Sequence, residues 1–260
     1  MTIYNSPARA NYDNVIFDLD GTLIDSRMGI HASVVHTLKT VGAAPVDQAV
    51  LSQFIGPPLI DSFQGVCGMS RAEAEHAVSV YKDYFAAEGI HGFEVYGDVP
   101  EMLWLLRASG VRMAIATTKD AVFARQIALT ADLLPFFAAV IGSDDEGRML
   151  RKPELIAAAL SALGVAARPP TARAAAPGNQ SELPAAPRAG MGDAADPRRA
   201  PDGRIVMVGD HALDVMGARA NGIDSIAVTY GFGAADDLRE AGPDHMADSV
   251  MELRRLLLGV

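Results

Sequence analysis

Five short apolar runs constrain the fold of this chain more than any other feature of its sequence. They occupy residues 15–19, 111–117, 138–141, 205–208 and 225–229, and they end in small, hydroxyl or acidic residues. Most are nearly continuous in aliphatic residues, which is typical of strands covered on both faces. Helical patterns lie between them, one of them predicted to begin at Asp98 as N-cap and to stop at Gly110. The alternation predicts an α/β fold with a Rossmann-like, doubly wound parallel sheet.

Residues 27–96 interrupt this alternation. Ile30, Val34, Leu38 and Val41 share one helical face, and a capping box at residues 70–73 begins another helix. No strand pattern separates the helices, so an all-helical domain is predicted at 27–96, with 1–26 and 97–260 forming the core. Its position directly after the first strand suggests a cap over the carboxyl ends of the sheet. A helical domain without a role in chemistry is equally compatible with the sequence.

Residues 166–203 differ abruptly from the rest of the core. Ala, Pro, Gly and Arg dominate this segment, and it contains no aromatic residue. Such a composition cannot bury enough apolar surface to offset the entropy of ordering. We therefore predict a disordered insertion, and we interpret its arginines as solvated.

The charge balance limits the classes of partner. The 260 residues carry a formal net charge of −10, which disfavours a nucleic-acid polymer but not a small anion held locally. Cys67 is the only cysteine, so an internal disulfide is excluded. The polar residues 1–14 do not resemble a signal peptide, and no apolar run reaches the ~20 residues that span a bilayer. These features predict a soluble, cytoplasmic protein without a membrane partner, and they leave its oligomeric state open.

Two carboxylates lie at the end of the first apolar run. Asp18 and Asp20 are two residues apart, so they emerge on about the same side of a strand. Two close carboxylates repel each other unless a cation or a shared proton compensates. Mg²⁺ is a suitable cation because it takes oxygen ligands. The simpler interpretation is a strand end followed by an Asp-Gly turn.

Other polar residues follow further predicted strands. Thr117 ends the second run and Thr118 and Lys119 follow it. Lys152 lies just before a predicted helix, and Asp210 follows the fourth run. In open α/β sheets, ligands bind outside the carboxyl ends of the strands. These side chains are therefore expected to converge on one ligand.

Four motifs, around Asp18, Thr117, Lys152 and Asp210, follow one another along the chain. Taken in this order, they resemble the haloacid-dehalogenase superfamily. Nearly the whole chain is similar to the helical-cap branch of that superfamily, which contains phosphoglycolate phosphatases and 5′-nucleotidases. Residues 54–59, 217–223 and 229–233 also resemble that branch.

The resemblance implies that Asp18 is a nucleophile and that Asp20 moves protons and binds Mg²⁺ through its backbone carbonyl. Asp210 and Asp18 would hold the Mg²⁺, and Asp214 would either join them or orient a neighbouring ligand. Thr117 and Lys152 complete the implied catalytic set, and the substrate-binding set is Gly21, Thr22, Phe54, Gly56, Pro57 and Thr118.

The function implied is a Mg²⁺-dependent phosphatase acting on a small phosphomonoester such as phosphoglycolate or a nucleoside 5′-monophosphate. Dehalogenases of the superfamily lack the second aspartate, so Asp20 argues against that activity. Phosphosugar mutases carry a cap histidine at the position of Ile30, and the adjacent His31 keeps this alternative open. A catalytically idle binding protein is the alternative from another class, and the presence of all the motifs argues against it.

Overall fold

The computed structural model describes residues 10–143, 151–165 and 203–259. The insertion predicted at 166–203 lies outside these ranges except for Gly203, so that prediction stays a prediction. Within the described residues, no helix is both long and apolar enough to cross a membrane.

A six-stranded parallel sheet forms the centre of the molecule, as predicted. In chain order, its strands are β1 (Asn14–Phe17), β4 (Arg112–Asp120), β5 (Ala139–Ser143), β6 (Ile205–Gly209), β7 (Asp224–Val228) and β8 (His245–Ala247). Their spatial order is β5-β4-β1-β6-β7-β8, with β1 hydrogen-bonded to both β4 and β6. The chain leaves β1 towards one edge and returns to the other side at β6. This reversal is the switch point at which open α/β sheets bind ligands.

Helices cover both faces of the sheet, because alternate side chains of each strand point to opposite sides. Val15 and Phe17 of β1 belong to one buried cluster, whereas Ile16 belongs to another. The first cluster includes residues of α5 (Val99–Ala108), α6 (Ala121–Thr130) and α10 (Val250–Leu258), and the second includes residues of α7 (Lys152–Ala162) and α8 (Ala212–Ala220). Helix α9 (Ala235–Ala241) packs beside α8. Because both faces are buried, the central strands β1 and β6 are almost continuously apolar.

The segment predicted as an inserted domain contains α1 (Arg27–Thr40), α2 (Gln48–Ser52), α3 (Leu59–Gly65) and α4 (Arg71–Ala87). The expectation that it lacks strands is wrong in one detail, because Glu94–Val95 forms β3, antiparallel to β2 (Ile24–Asp25). Two-residue strands carry no periodic signal, so the sequence does not reveal them. This pair joins the two chain segments that connect the helical segment to the sheet.

The two predicted helix starts have different outcomes. The capping box at Ser70 is confirmed, since Ser70 and Glu73 bond to each other's backbone N–H groups. Asp98 does precede α5, but its side chain makes no capping bond. Its backbone adopts the left-handed conformation with φ 62°, which differs from the extended conformation typical of a capping residue.

Candidate active site

The loop after β1 places Asp18 and Asp20 at the carboxyl end of the sheet. The Asp18 backbone N–H still donates to the Val208 carbonyl (2.8 Å), so this residue is fixed by the ladder between β1 and β6. Gly21 follows with φ 80°, and a Cβ atom at this position would lie 2.1 Å from Oδ2 of Asp210. Only glycine combines that backbone conformation with so close an approach. The turn therefore brings the Asp18 loop against the carboxylate that follows β6.

Lys152 lies at the first position of α7 with its ammonium group inside the site. Its Nζ is 2.9 Å from Oδ1 of Asp18, 2.7 Å from Oδ1 of Asp214, and donates to the Ala116 carbonyl at 2.9 Å. The residue is buried, which excludes a solvated lysine at a helix start. The preceding residue, Arg151, is exposed instead.

Burial and charge act in opposite directions on this pair. Burial lowers the pKa of Lys152, but the carboxylates of Asp18 and Asp214 raise it by more, so the net pKa lies above its ordinary value. Burial raises the pKa of Asp214, and the Lys152 ammonium opposes this effect. A buried lysine usually loses its proton unless anions compensate. Here the two carboxylates keep the ammonium charged at neutral pH.

Asp210 follows β6 and is completely buried. Its Oδ2 accepts a hydrogen bond from the Phe232 backbone N–H (2.8 Å), and its Oδ1 lies 3.4 Å from the Thr22 hydroxyl. The ring of His211 approaches the same carboxylate, with Nδ1 3.1 Å from Oδ1. Burial lowers the pKa of His211, but the hydrogen bond and charge of Asp210 raise it to about 9.

The acidic residues meet the requirements of a divalent cation. Within the described residues, ligand atoms of Asp210, His211 and Asp214 lie within 4.8 Å of one another. Asp18 adds a buried carboxylate beside them, and its Oδ1 makes no hydrogen bond of good geometry. Carboxylate oxygens are the ligands that a hard cation prefers. The donor set therefore fits a divalent metal.

The end of β4 is irregular at the three residues that the sequence places in the site. Ala116 pairs with Ile141 but Asp120 pairs with Ser143, so two extra residues leave the ladder between them. Such bulges redirect side chains and are frequent beside active sites. Here Thr117 is buried, and its Oγ1 accepts from the Lys119 backbone N–H at 3.3 Å. The Lys119 ammonium contacts both carboxylate oxygens of Asp20, at 2.9 and 3.2 Å.

The helical segment also reaches this edge of the sheet. The Thr118 hydroxyl donates to the Gly56 carbonyl at 3.0 Å. Gly56 itself has φ 101°, and a Cβ there would lie 2.5 Å from Nε2 of His211. The helices therefore overhang the carboxyl ends of β1, β4 and β6, as a cap would.

A cavity of about 540 Å³ lies next to these contacts, between the helical segment and the core. Its walls include Ile55, Pro57 and Val66 on one side, and His211, Leu213 and Phe232 on the other. Asp61 and Asp237 also line it, whereas no lysine or arginine does within the described residues. The cavity is therefore largely apolar, with a negative charge balance.

Three predicted substrate residues occupy other environments. Phe54, predicted to bind substrate, is 2% exposed and packs against Phe63 inside the helical segment. Thr22 is completely buried behind Asp210, so its side chain supports that carboxylate instead. The Thr118 hydroxyl is already engaged by Gly56. Gly21, Gly56 and Pro57 do lie at the site or its cavity.

Asp214 contacts both Lys152 and the residue that follows Asp210. Its Oδ1 lies 2.7 Å from Nζ of Lys152 but, like Oδ1 of Asp18, makes no hydrogen bond of good geometry, and its Oδ2 accepts from the His211 backbone N–H at 3.0 Å. Asp214 therefore contacts the buried lysine while it also belongs to the cluster that could hold a metal.

A sequence model of the family described as "haloacid dehalogenase-like hydrolase" matches residues 15–169, more than half of the chain. The chain belongs to the haloacid dehalogenase-like hydrolase family. A second, HAD-hydrolase-like model matches residues 149–253, so the family resemblance extends over both parts of the core.

Relatives of this family member carry more than one activity in their names. A 5′-nucleotidase of Pseudomonas aeruginosa is 34% identical over 250 residues, covering 96% of this chain and 97% of that protein. The tyrosine-protein kinase PtkA of Mycobacterium tuberculosis is 31% identical over 94% of this chain and 72% of its own length. Among solved structures, a predicted phosphatase of Clostridium acetobutylicum is 32% identical with a TM-score of 0.77, covering 96% of this chain and 99% of that one.

Two residues of this haloacid dehalogenase-like hydrolase acquire roles only in the structure. Lys119 is expected at the site from its sequence position, but its specific role appears only in the structure, where it pairs with Asp20. His211, which directly follows Asp210, is half-buried between Asp210 and Gly56. His31, the residue that keeps a mutase open by sequence, is buried, and its Nδ1 lies 3.0 Å from Nε2 of Gln48 within the helical segment.

Proposed function

We propose that this protein is a Mg²⁺-dependent phosphatase that hydrolyses a small phosphomonoester through an aspartyl-phosphate on Asp18. The observation that carries this proposal is the contact of the buried Lys152 ammonium with Oδ1 of Asp18 (2.9 Å) at the switch point of the sheet. A carboxylate that attacks a phosphate anion needs a cation that neutralises both groups. The comparisons support a phosphatase as the reaction class.

The residues divide the reaction into two displacements. A carboxylate oxygen of Asp18 forms a bond to phosphorus while the bond to the leaving oxygen breaks, and Asp20 gives that oxygen a proton. Asp20 then removes a proton from water, which attacks phosphorus and releases the Asp18 carboxylate and inorganic phosphate. Thr117 and Lys152 would bind the phosphoryl oxygens throughout. The site has to lower the barrier by roughly 20 kcal/mol or more, mostly through positioning and charge.

The carboxylates of Asp18 and Asp210 and the backbone carbonyl of Asp20 would hold the Mg²⁺. When bound, the ion neutralises charge on the phosphoryl group and the nucleophile. Asp214 would orient Lys152, whose Nζ lies 2.7 Å from its Oδ1, and the His211 backbone N–H holds its other oxygen. Thr22 would fix Asp210 from behind, where its hydroxyl lies 3.4 Å from Oδ1.

The cavity supports a nucleoside 5′-monophosphate over phosphoglycolate. At about 540 Å³ it is within the size range of small-molecule sites, and its walls are mostly apolar, which suits a sugar and a base. The glycolate carboxylate would instead face Asp61 and Asp237, with His211 as the one cationic side chain in the described lining. The relative named 5′-nucleotidase is consistent with this substrate class.

The decisive experiment measures hydrolysis of p-nitrophenyl phosphate by purified protein. We expect activity with Mg²⁺, loss of activity with EDTA, and recovery when excess Mg²⁺ is restored, because Asp18 and Asp210 then regain their shared cation. A rate that is independent of metal would overturn the proposed mechanism.

A second measurement tests the substrate class. We expect kcat/KM for nucleoside 5′-monophosphates to exceed that for phosphoglycolate by at least 10-fold. Asp61→Lys should reduce this preference about 3- to 10-fold, because it replaces a repulsion of ~1 kcal/mol with an attraction. Asp83→Lys is the matched control, since Asp83 is an exposed aspartate of α4 outside the cavity lining. Equal shifts in both variants would contradict the assignment of the cavity.

A further inference from the structure

We propose that Lys119 is a positioning residue that holds the Asp20 carboxylate ready for proton transfer, and that the helical segment secures Lys119 through Phe85. This inference rests on the proposed function, because it assigns a support to the residue that serves there as acid and base. It concerns a different lysine from Lys152, whose ammonium contacts Asp18 and Asp214.

The contact between Lys119 and Asp20 is close and shielded. Nζ lies 2.9 Å from one carboxylate oxygen and 3.2 Å from the other, so a single cation spans both. The two side chains are 9% and 13% exposed, respectively. An exposed ion pair contributes little because water and salt screen it, whereas a shielded pair is screened far less. The Asp20 carboxylate is thereby restricted in its rotation.

The ammonium is itself fixed by a side chain from the helical segment. Nζ lies 4.7 Å from the centroid of the Phe85 ring, within the range of a cation–π contact. Phe85 is 2% exposed, and its ring also packs against Phe123 of α6 at 5.1 Å. Because Phe85 belongs to α4, the environment of Lys119 is complete only when the helical segment is seated on the core.

The neighbours of Lys119 make the same connection. Thr118 donates to the Gly56 carbonyl, and the Asp120 carboxylate pairs with Lys82 of α4 at 2.8 Å. Three consecutive residues at the end of β4 therefore contact the helical segment. The middle residue, Lys119, also contacts Asp20, which transfers the proton. Through Lys119 and Phe85, the position of the helical segment is therefore linked to the position of Asp20.

If Lys119 positions Asp20, the loss of kcat on replacing Lys119 should depend on the leaving group of the substrate. A lysine with a purely structural role would not produce this dependence. Protonation matters greatly for an alkyl leaving oxygen and little for p-nitrophenolate, which leaves readily as an anion. For Lys119→Met we expect kcat with a nucleoside 5′-monophosphate to fall about 10- to 100-fold, as misplacement of a catalytic group does. With p-nitrophenyl phosphate, kcat should fall less than about 3-fold on the same grounds. KM should change little for either substrate.

Two further variants test the geometry. Lys119→Arg keeps a cation beside Asp20 and should restore part of the activity on the nucleotide. Phe85→Leu keeps an apolar side chain but removes the ring, and it should show the same selective loss in weaker form. Lys82→Met is the matched control, because Lys82 joins the same two segments without contacting Asp20. It should lower both rates by equal factors or leave both unchanged.

Equal losses on both substrates in Lys119→Met and in Phe85→Leu would overturn the inference while leaving the proposed phosphatase intact. A faster reaction of Lys119→Met on the nucleotide would also overturn it, because the lysine would then hinder protonation. If Lys119→Met does not fold, as judged by its thermal transition, Phe85→Leu decides alone. An inactive wild-type protein would overturn the proposed function and this inference together.

Discussion

Replacement of Asp18 by asparagine is expected to lower kcat by roughly 10⁴-fold or more, the scale on which loss of a nucleophile acts. The amide has nearly the shape of the carboxylate, but it lacks the negative charge that makes a carboxylate oxygen nucleophilic enough to attack phosphorus. Its oxygen can still accept from Lys152, so the fold should persist. The measurement is steady-state hydrolysis of p-nitrophenyl phosphate together with the thermal transition.

Trapping the phosphorylated state gives this prediction a second readout. Wild-type protein with Mg²⁺ should bind beryllium fluoride, which mimics a phosphoryl group on an aspartate, and the Asp18→Asn variant should not. Asp83→Asn makes the same chemical change at an exposed site of α4 and should behave as wild type. Turnover by Asp18→Asn above 1% of wild type, with deamidation excluded by mass spectrometry, would mean that another residue is the nucleophile.

Replacement of Lys152 by methionine is expected to lower kcat by roughly 10²- to 10⁴-fold, because the site loses its fixed positive charge beside Asp18. The same change should destabilise the protein by ~3–5 kcal/mol, since it leaves two buried carboxylates without their shared partner. Urea denaturation measures the second effect independently of the first. Lys82→Met removes a partly exposed cation from an ion pair and should cost less than about 1 kcal/mol by comparison.

The direction of the pKa shift fixes the pH range of this stability contribution. The pKa of Lys152 is raised from an ordinary value of 10.5, because the carboxylates outweigh burial. The contribution is therefore fully present below pH 10.5 and is lost only as pH rises through the elevated pKa. Between pH 6 and 9, the ionisation of Lys152 should not make wild-type stability vary. Adding Asp214→Asn to Lys152→Met should recover part of the lost stability, and no recovery would contradict the proposed pairing.

The sheet could be predicted because burial on both faces leaves a direct trace in the sequence. Each of the five predicted strands overlaps an observed one, since continuous aliphatic runs are required where helices cover both sides. β8 escaped prediction because three residues at the sheet edge, His245–Ala247, carry no such run. The pair β2–β3 escaped for the same reason, with two residues in each strand.

The candidate site was predictable where a residue directly follows a strand. Asp18 and Asp210 follow neighbouring strands, so topology alone brings them together. The burial of Phe54 in the helical segment could not be predicted, because an aromatic side chain beside a Gly-Pro turn does not reveal whether it faces a ligand or the domain interior. Lys119 had no predicted role because its contact with Asp20 depends on a local irregularity of β4 and on a distant phenylalanine. Neither feature has a periodic signature.

The three consecutive contacts at the end of β4 have a consequence for protein engineering. Exchanging helical segments between family members is an obvious way to transfer specificity, and the β2–β3 pair marks natural junctions for it. Yet Thr118, Lys119 and Asp120 belong to the core. Their contact partners in the helical segment are Gly56, Phe85 and Lys82, respectively. A chimera joined only at β2 and β3 would separate these partners. The transferable module is therefore discontinuous: residues 27–93 together with 118–120.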